Sequence, residues 1–183
     1  MTVISGILRS VAGAARIEQV RRDPDLGLLT AWLLDPIREE LFARLAERGH
    51  DQIRPCHRAL LGYLDDAGAR PTELARLLGQ PKQYVGRLVD ELEALGYVQR
   101  RPDPDDRRSK LIVPTERGRD EQQQADLILG EIEDRHAARI GADRYADFRR
   151  LLRALALPDE DSASDTDRRR RTAAGSPGTG PGW

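Results

Sequence analysis

Through most of this chain apolar side chains recur at i, i+3, i+4 and i+7, the spacing of one buried helix face. Residues 1–22 carry the pattern weakly, at Ile4, Ile7, Leu8 and Val11, and read either as an extra helix or as a poorly ordered extension. Over 26–48 it is strong: Trp32, Leu33, Ile37, Leu41, Phe42 and Leu45 give too much apolar surface for a solitary surface helix, and Gly49 ends it. Within that run Asp35 is a good N-cap and Pro36 a good first helical residue, so either a helix restarts there or one helix kinks. A further helix is expected over 55–64, with Cys56, Leu60, Leu61 and Leu64 on one stripe, followed by a turn at Asp65-Asp66-Ala67-Gly68. Thr115 caps a long helix to Ile140, lined by Ala125, Ile128, Leu129, Ile132 and His136. Gly141 terminates it, and Asp143 caps a last helix with Tyr145, Phe148, Leu151, Leu152 and Leu155 on one face. From residue 158 the periodicity fails, and the Gly-, Pro- and Ser-rich composition of 158–183 predicts a disordered tail.

The middle of the chain has the most pointed pattern. A short helix over 71–78, with Leu74, Ala75, Leu77 and Leu78 apolar, is followed by Gly79 as a left-handed cap. A second helix over 81–95 buries Val85, Leu88, Val89, Leu92 and Leu95. At about 100° per residue its opposite face carries Gln83, Gly86, Arg87 and Asp90, with Lys82 and Tyr84 on the flanks. Pro81 suits the first turn, where its missing N–H costs nothing. Helix, tight turn, helix is the helix-turn-helix grammar. Gly96 then closes the helix. Residues 97–101 read as a strand and 109–113 as its partner, with a Pro- and Asp-rich loop between them that bears Arg107 and Arg108.

These residues carry a resemblance. ELARLLG at 73–79, RLVDELEALGYVQRRPDPDDRRSK at 87–110 and TERG at 115–118 closely resemble the MarR family of winged-helix transcriptional regulators in type, spacing and order. The Asp-x-Arg of the wing stands here as Asp106-Arg107-Arg108. The resemblance implies a mainly α fold: a winged helix-turn-helix, helices plus a two-stranded β wing, with N- and C-terminal dimerisation helices. On that basis 23–157 is one winged-helix domain. Its DNA-reading core is 54–118 and its dimerisation helices are 26–48 and 115–157. The family also implies a two-fold homodimer and control by a small-molecule effector, for which Trp32, Phe42, Arg58 and Tyr63 are lining candidates. Gly86 stands where the family commonly has a small hydroxyl residue, and Pro81 where it has an acidic or polar one.

Composition modifies this picture in three ways. Aromatics are 4% of 183 residues, so the core must be built from Leu, Ala, Val and Ile. The formal net charge of −1 is not the basic footprint usual for nucleic-acid binding. The wing hairpin is nevertheless dense in arginine, and there the local field counts for more than the sum. One cysteine excludes an internal disulfide framework, no apolar run reaches transmembrane length, and the N-terminus lacks a basic leader region. The expected location is the cytoplasm.

Duplex affinity comes largely from phosphates and sequence choice from base edges. Recognition helix 81–95 is therefore expected in the major groove of a double-stranded, pseudo-palindromic operator. There Gln83 can present a donor and an acceptor to adenine, and Arg87, one turn later, can reach guanine or a phosphate. Lys82, Tyr84, Thr72 and Arg70 are candidate phosphate contacts. By resemblance the wing, 99–112, lies at the minor groove, with Arg108 inserted where narrow A·T-rich segments concentrate negative potential. Asp106 orients an arginine of the loop, and Arg107 and Lys110 supply backbone charge.

Three other readings compete. A winged-helix module could bind protein and never read DNA. His50, Asp51, Cys56 and His57 are of metal-ligating type, but their spacing matches no closed four-ligand motif. Cys56 is a candidate redox sensor on an apolar stripe, where cysteine is usually an inert small hydrophobe. No phosphate-cradling glycine loop or paired-carboxylate constellation is present, and Cys56 and His57 point about 100° apart on a helix. An enzyme is not expected, and no cofactor is.

Overall fold

The computed structural model describes residues 22–106 and 108–157, which form two compact units dividing between Ile132 and Glu133. Among the described residues there are six α-helices and one two-stranded sheet. The order is α1 (Leu26–Leu45), a π-type turn (Ala46–His50), α2 (Pro55–Leu61), α3 (Pro71–Leu77), α4 (Lys82–Ala94), β1 (Val98–Pro102), β2 (Lys110–Pro114), α5 (Glu116–Ile140) and α6 (Ala142–Ala156). The mainly α winged-helix expectation holds. The N-terminal extension, Arg107 and the tail with Arg168–Arg171 lie outside the described residues.

Of the two readings at Pro36, the structure has the continuous one: α1 starts on Asp25, whose carboxylate accepts from the Leu28 N–H at 2.9 Å, and runs through Pro36. Two apolar clusters fill the first unit. One joins Leu41 and Leu45 of α1 to Ala125, Ile128 and Ile132 of α5. The other is the core of the reading motif: Leu60 and Leu61 from α2, Leu74 and Ala75 from α3, Val85, Leu88, Val89 and Leu92 from α4, and Tyr97, Val98 and Ile112 from the wing. Phe42 packs on both. Each large aliphatic side chain so enclosed contributes about 2 kcal/mol. Tyr97 is the one Phe, Trp or Tyr fully buried among the described residues, as the Leu-rich composition requires.

Several ends differ from the periodicity. Helix α2 stops at Leu61 rather than residue 64, because the Gln122 side-chain amide donates 2.7 Å hydrogen bonds to the carbonyls of both Leu61 and Leu64. Both strands start one residue later than expected, with Val98 opposite Pro114 and Pro102 opposite Lys110. Thr115 caps α5 as expected, its hydroxyl accepting from the Gly118 N–H at 3.2 Å. In α6, Gly141 at φ 95° is the cap, and Asp143 falls inside the first turn. A glycine here makes the sharp exit from α5 that a residue with a side chain resists. No helix among the described residues is long and apolar enough to cross a membrane.

Candidate nucleic-acid interface

Helices α3 and α4 meet through a turn closed by Gly79 at φ 61°, with the Gln80 N–H donating to the Ala75 carbonyl at 3.0 Å. Pro81 is the cap of α4 rather than its first residue. Its carbonyl accepts from the N–H groups of Tyr84 and Val85, so its own missing donor leaves nothing unpaired. With Val85, Leu88, Val89 and Leu92 buried, Lys82, Gln83, Arg87 and Asp90 are exposed on the other side. The Arg87 guanidinium lies 5.9 Å from the centre of the half-buried Tyr84 ring, a cation–π spacing that props it along the face. At Gly86 a Cβ would meet nothing within 4 Å, so the core does not demand glycine there. Its absence of a side chain leaves the middle of the face flat.

The wing departs from α4 through Gly96, at φ 79°, and is secured at three points. Half-way along it, Arg100 of β1 binds Asp90 at 2.6 Å and also Glu93, both on α4. Asp90 is thus engaged, although periodicity placed it on the reading face. At the same level on the other strand, Ala69 exchanges backbone hydrogen bonds of 2.9 and 3.0 Å with Ile112 of β2, the partner of Arg100. Near its tip, the carboxylate of Asp103, only 3% exposed, accepts from Arg70 Nε at 2.7 Å and Nη2 at 2.6 Å, and from the Asp105 N–H at 2.9 Å. The Asp105 backbone donor and, after it, Arg70 hold the Asp103 carboxyl below the usual carboxylate range.

The structure therefore places the sequence-derived candidates unequally. Thr72 is exposed in the first turn of α3, and Arg108 and Lys110 are exposed on the wing. Arg70, expected as a phosphate contact, turns instead to Asp103. Asp106 shapes the loop through the backbone: its carboxylate accepts from the Arg108 N–H at 3.0 Å, and its carbonyl from the Ser109 N–H at 2.8 Å. No arginine side chain among the described residues is recorded on Asp106, and Arg107 lies outside them. Asp103, Arg100 and Glu93 were missed by the sequence reading. The Asp-Pro-Asp run at 103–105 is the signal that could have marked Asp103, because a carboxylate accepting from the second amide onward is a common turn device.

The candidate metal cluster disperses. His50 Nδ1 is 3.1 Å from the Tyr97 hydroxyl and its Nε2 3.3 Å from Asp120, whereas His57 Nε2 is 2.9 Å from Glu91. No group of His, Cys, Asp and Glu among the described residues is arranged to hold a metal. Of the effector-lining candidates, Trp32 and Tyr63 are half exposed, Phe42 is in the core, and Arg58 lies between Asp126, at 3.3 Å, and Glu121. Glu121 is fully enclosed and 3.7 Å from Arg58 Nε, and neither of its oxygens has a hydrogen-bond partner among the described residues. Burial pushes its carboxyl up to about 7, against the opposing pull of Arg58.

Residues 54–109 match a family profile described as the MarR family. Uncharacterised proteins of Mycobacterium tuberculosis and Mycobacterium bovis are 38% identical over 74 residues, which is 40% of this chain and 50% of theirs. The matched stretch thus spans half the length of these curated relatives. CouR from Rhodococcus jostii RHA1, solved with p-coumaroyl-CoA, is 28% identical with a TM-score of 0.61, over 74% of this chain and 94% of that one. The transcriptional repressor CouR on a 23-mer DNA duplex gives 27% identity and a TM-score of 0.60, over 73% of this chain and 93% of that one. Apo MarR from E. coli gives 25% and 0.56, over 74% and 99%.

Proposed function

We propose, from the premise that this chain belongs to the MarR family of winged-helix transcriptional regulators, that it works as a dimer that binds double-stranded DNA sequence-specifically and answers to a small-molecule effector. The observation that carries this reading is the pairing of two exposed features. The Gln83–Arg87 face of α4 is uncovered, and the hairpin beside it carries Arg108, equally uncovered, on a loop whose backbone is held by Asp106. The transcriptional repressor CouR, of the same fold, has been solved on a DNA duplex, which supports a duplex as the partner.

The roles follow from reach. Gln83 and Arg87 meet base edges in the major groove, where bidentate side chains discriminate bases. Lys82, Tyr84, Thr72 and Lys110 neutralise or bind phosphates, which fixes register without reading sequence. Arg108 enters the minor groove, and Arg107 adds charge beside it. Pairing of two copies is supported by α1, which leaves Leu26, Leu29, Trp32 and Leu34 about half exposed or more, and separately by α6, which buries no residue of its own. Exposed apolar surface of that extent marks an interaction site. Domain bounds of 23–157 with a reading core of 54–118 go with this assignment, as does a cytoplasmic location where DNA is accessible. That CouR was solved with p-coumaroyl-CoA supports small-molecule control.

The test is selection of duplexes from a random-core library by the full chain, followed by titration of the winning duplex with Arg108→Ala. The expected result is a two-fold site with half-site centres about 34–36 Å apart. Affinity should fall in Arg108→Ala without loss of thermal stability. Undiminished affinity in Arg108→Ala overturns the wing assignment, and failure to enrich any duplex overturns the DNA reading.

A further inference from the structure

We infer that Arg70 and Asp103 are a positioning pair, which sets the angle of the wing against the helix-turn-helix, and that Arg70 is not itself a DNA contact. The pair spans 33 residues of sequence and joins the two parts of the interface that must be held in fixed relation, α3 and the wing loop. Its geometry is two-pronged: Nε and Nη2 both reach Oδ2 of Asp103, at 2.7 and 2.6 Å. The acceptor is 3% exposed, so this carboxylate has given up most of its water and depends on the partners it has. Its other oxygen accepts the Asp105 N–H, which folds the loop onto the same side chain. One residue before Arg70, Ala69 is bridged to Ile112 of β2 in both directions. The ion pair and the backbone bridge thus clamp neighbouring points of one segment to the start of the wing loop and to β2.

A second latch, Arg100 on Asp90 and Glu93, ties the middle of the hairpin to α4. With its middle tied to α4 and the start of its loop tied to the start of α3, the hairpin is restrained from swinging about its base, which constrains where Arg108 stands relative to the Gln83–Arg87 face. A helix start ordinarily takes Ser, Thr, Asp or Asn as its cap. Arg70 occupies that position with no side-chain capping bond, so the place has been given to a residue whose use lies elsewhere.

The affinity arm of the test rests on the DNA-binding reading above, and the exchange arm does not. Arg70→Gln, Asp103→Asn and the double variant of the full chain are compared in amide hydrogen exchange without DNA and in titrations of the selected duplex across salt concentrations. Asp103→Asn keeps an acceptor for the Asp105 N–H while removing the charge. In exchange, each variant should speed the wing amides between 103 and 109 by about tenfold while α4 and α5 stay protected. On DNA, each single variant should weaken binding by about tenfold, the double variant by no more than either, and the slope against log salt should stay that of the parent. Unchanged wing exchange in Arg70→Gln overturns the inference whether or not DNA binds. So does an additive double variant, or a salt slope reduced by about one in Arg70→Gln, which is the mark of a lost phosphate contact. If no duplex is enriched at all, the DNA reading fails, and the exchange result alone decides whether the pair holds the wing.

Discussion

His57 Nε2 stands 2.9 Å from Oε2 of Glu91 and joins the first turn of α2 to the solvent-side edge of α4. The His57 Nδ1 faces the Arg54 N–H at 3.4 Å, and its Nε2 lies 2.8 Å from Arg54 Nη2 as well as beside the carboxylate. The Arg54 guanidinium reaches the same carboxylate, so one acidic group of α4 gathers two donors from the start of α2.

Glu91 should therefore carry part of the acid sensitivity of this fold. The His57 hydrogen bond, against the opposing effect of burial and with help from Arg54, holds its carboxyl below the usual carboxylate range. A group whose pKa is lower folded than unfolded adds stability above its unfolded value, and that stability is lost as pH falls through the folded one. Melting curves taken from about pH 7 down to about pH 3 should show a shallower acid limb in Glu91→Gln than in the parent. Identical limbs would refute the assignment.

Glu121 has the opposite sign. Its carboxyl is raised to about 7 by burial, so the folded chain holds a proton that the unfolded chain releases. Stability from this group is complete below the ordinary carboxylate range and declines as pH rises to about 7, above which the penalty stays constant. Glu121→Gln should remove that decline and leave the protein more stable by on the order of 2 kcal/mol at about pH 8. Arg58 keeps Asp126 as a partner in the variant. Chemical denaturation at two pH values measures the difference, and a variant less stable than the parent at the higher one would contradict it.

Gly118 is a packing requirement. In the first turn of α5 a Cβ at this position would collide with the backbone carbonyl oxygen of Tyr97 and lie 3.3 Å from the Pro114 side chain. A backbone oxygen cannot rotate aside as a flexible side chain can. Gly118→Ala should cost about 1–3 kcal/mol, read as a lowered denaturation midpoint, although alanine is the better helix former. Gly86→Ala is the control: with open space around its Cβ it should gain stability, by up to about 1 kcal/mol.

The outer stripe of α6 should matter to association and not to folding of the reading motif. Leu155 is 82% exposed. Leu155→Asp is expected to shift the sedimentation profile from dimer toward monomer at micromolar concentration while helical content is kept. A profile unchanged by the substitution would place the pairing surface elsewhere.

What the sequence disclosed was what repeats. The α4 stripe Val85–Leu88–Val89–Leu92 is buried as its period demands, and the hairpin was marked by the Pro- and Asp-rich turn between its two strands. The links between elements were hidden. Arg70 and Asp103, or Arg54 and Glu91, look like any other solvated charges in a chain that is one-third charged, because their partners come from distant elements rather than from a local period. The same reason explains the early end of α2, which is closed by a glutamine 58–61 residues away. Asp143 misled because a good capping residue lay two positions after a glycine whose backbone conformation had already made the turn.

The hydroxyl of Thr115 accepts from Gly118 and donates its single proton to the Gly96 carbonyl at 2.6 Å. One oxygen thus rivets the exit of the reading rod to the root of the long arm. A shift of the first turn of α5 must therefore either break this link or carry the end of α4 with it. A serine would preserve the rivet, whereas the near-isosteric valine would leave a loose joint of almost unchanged shape.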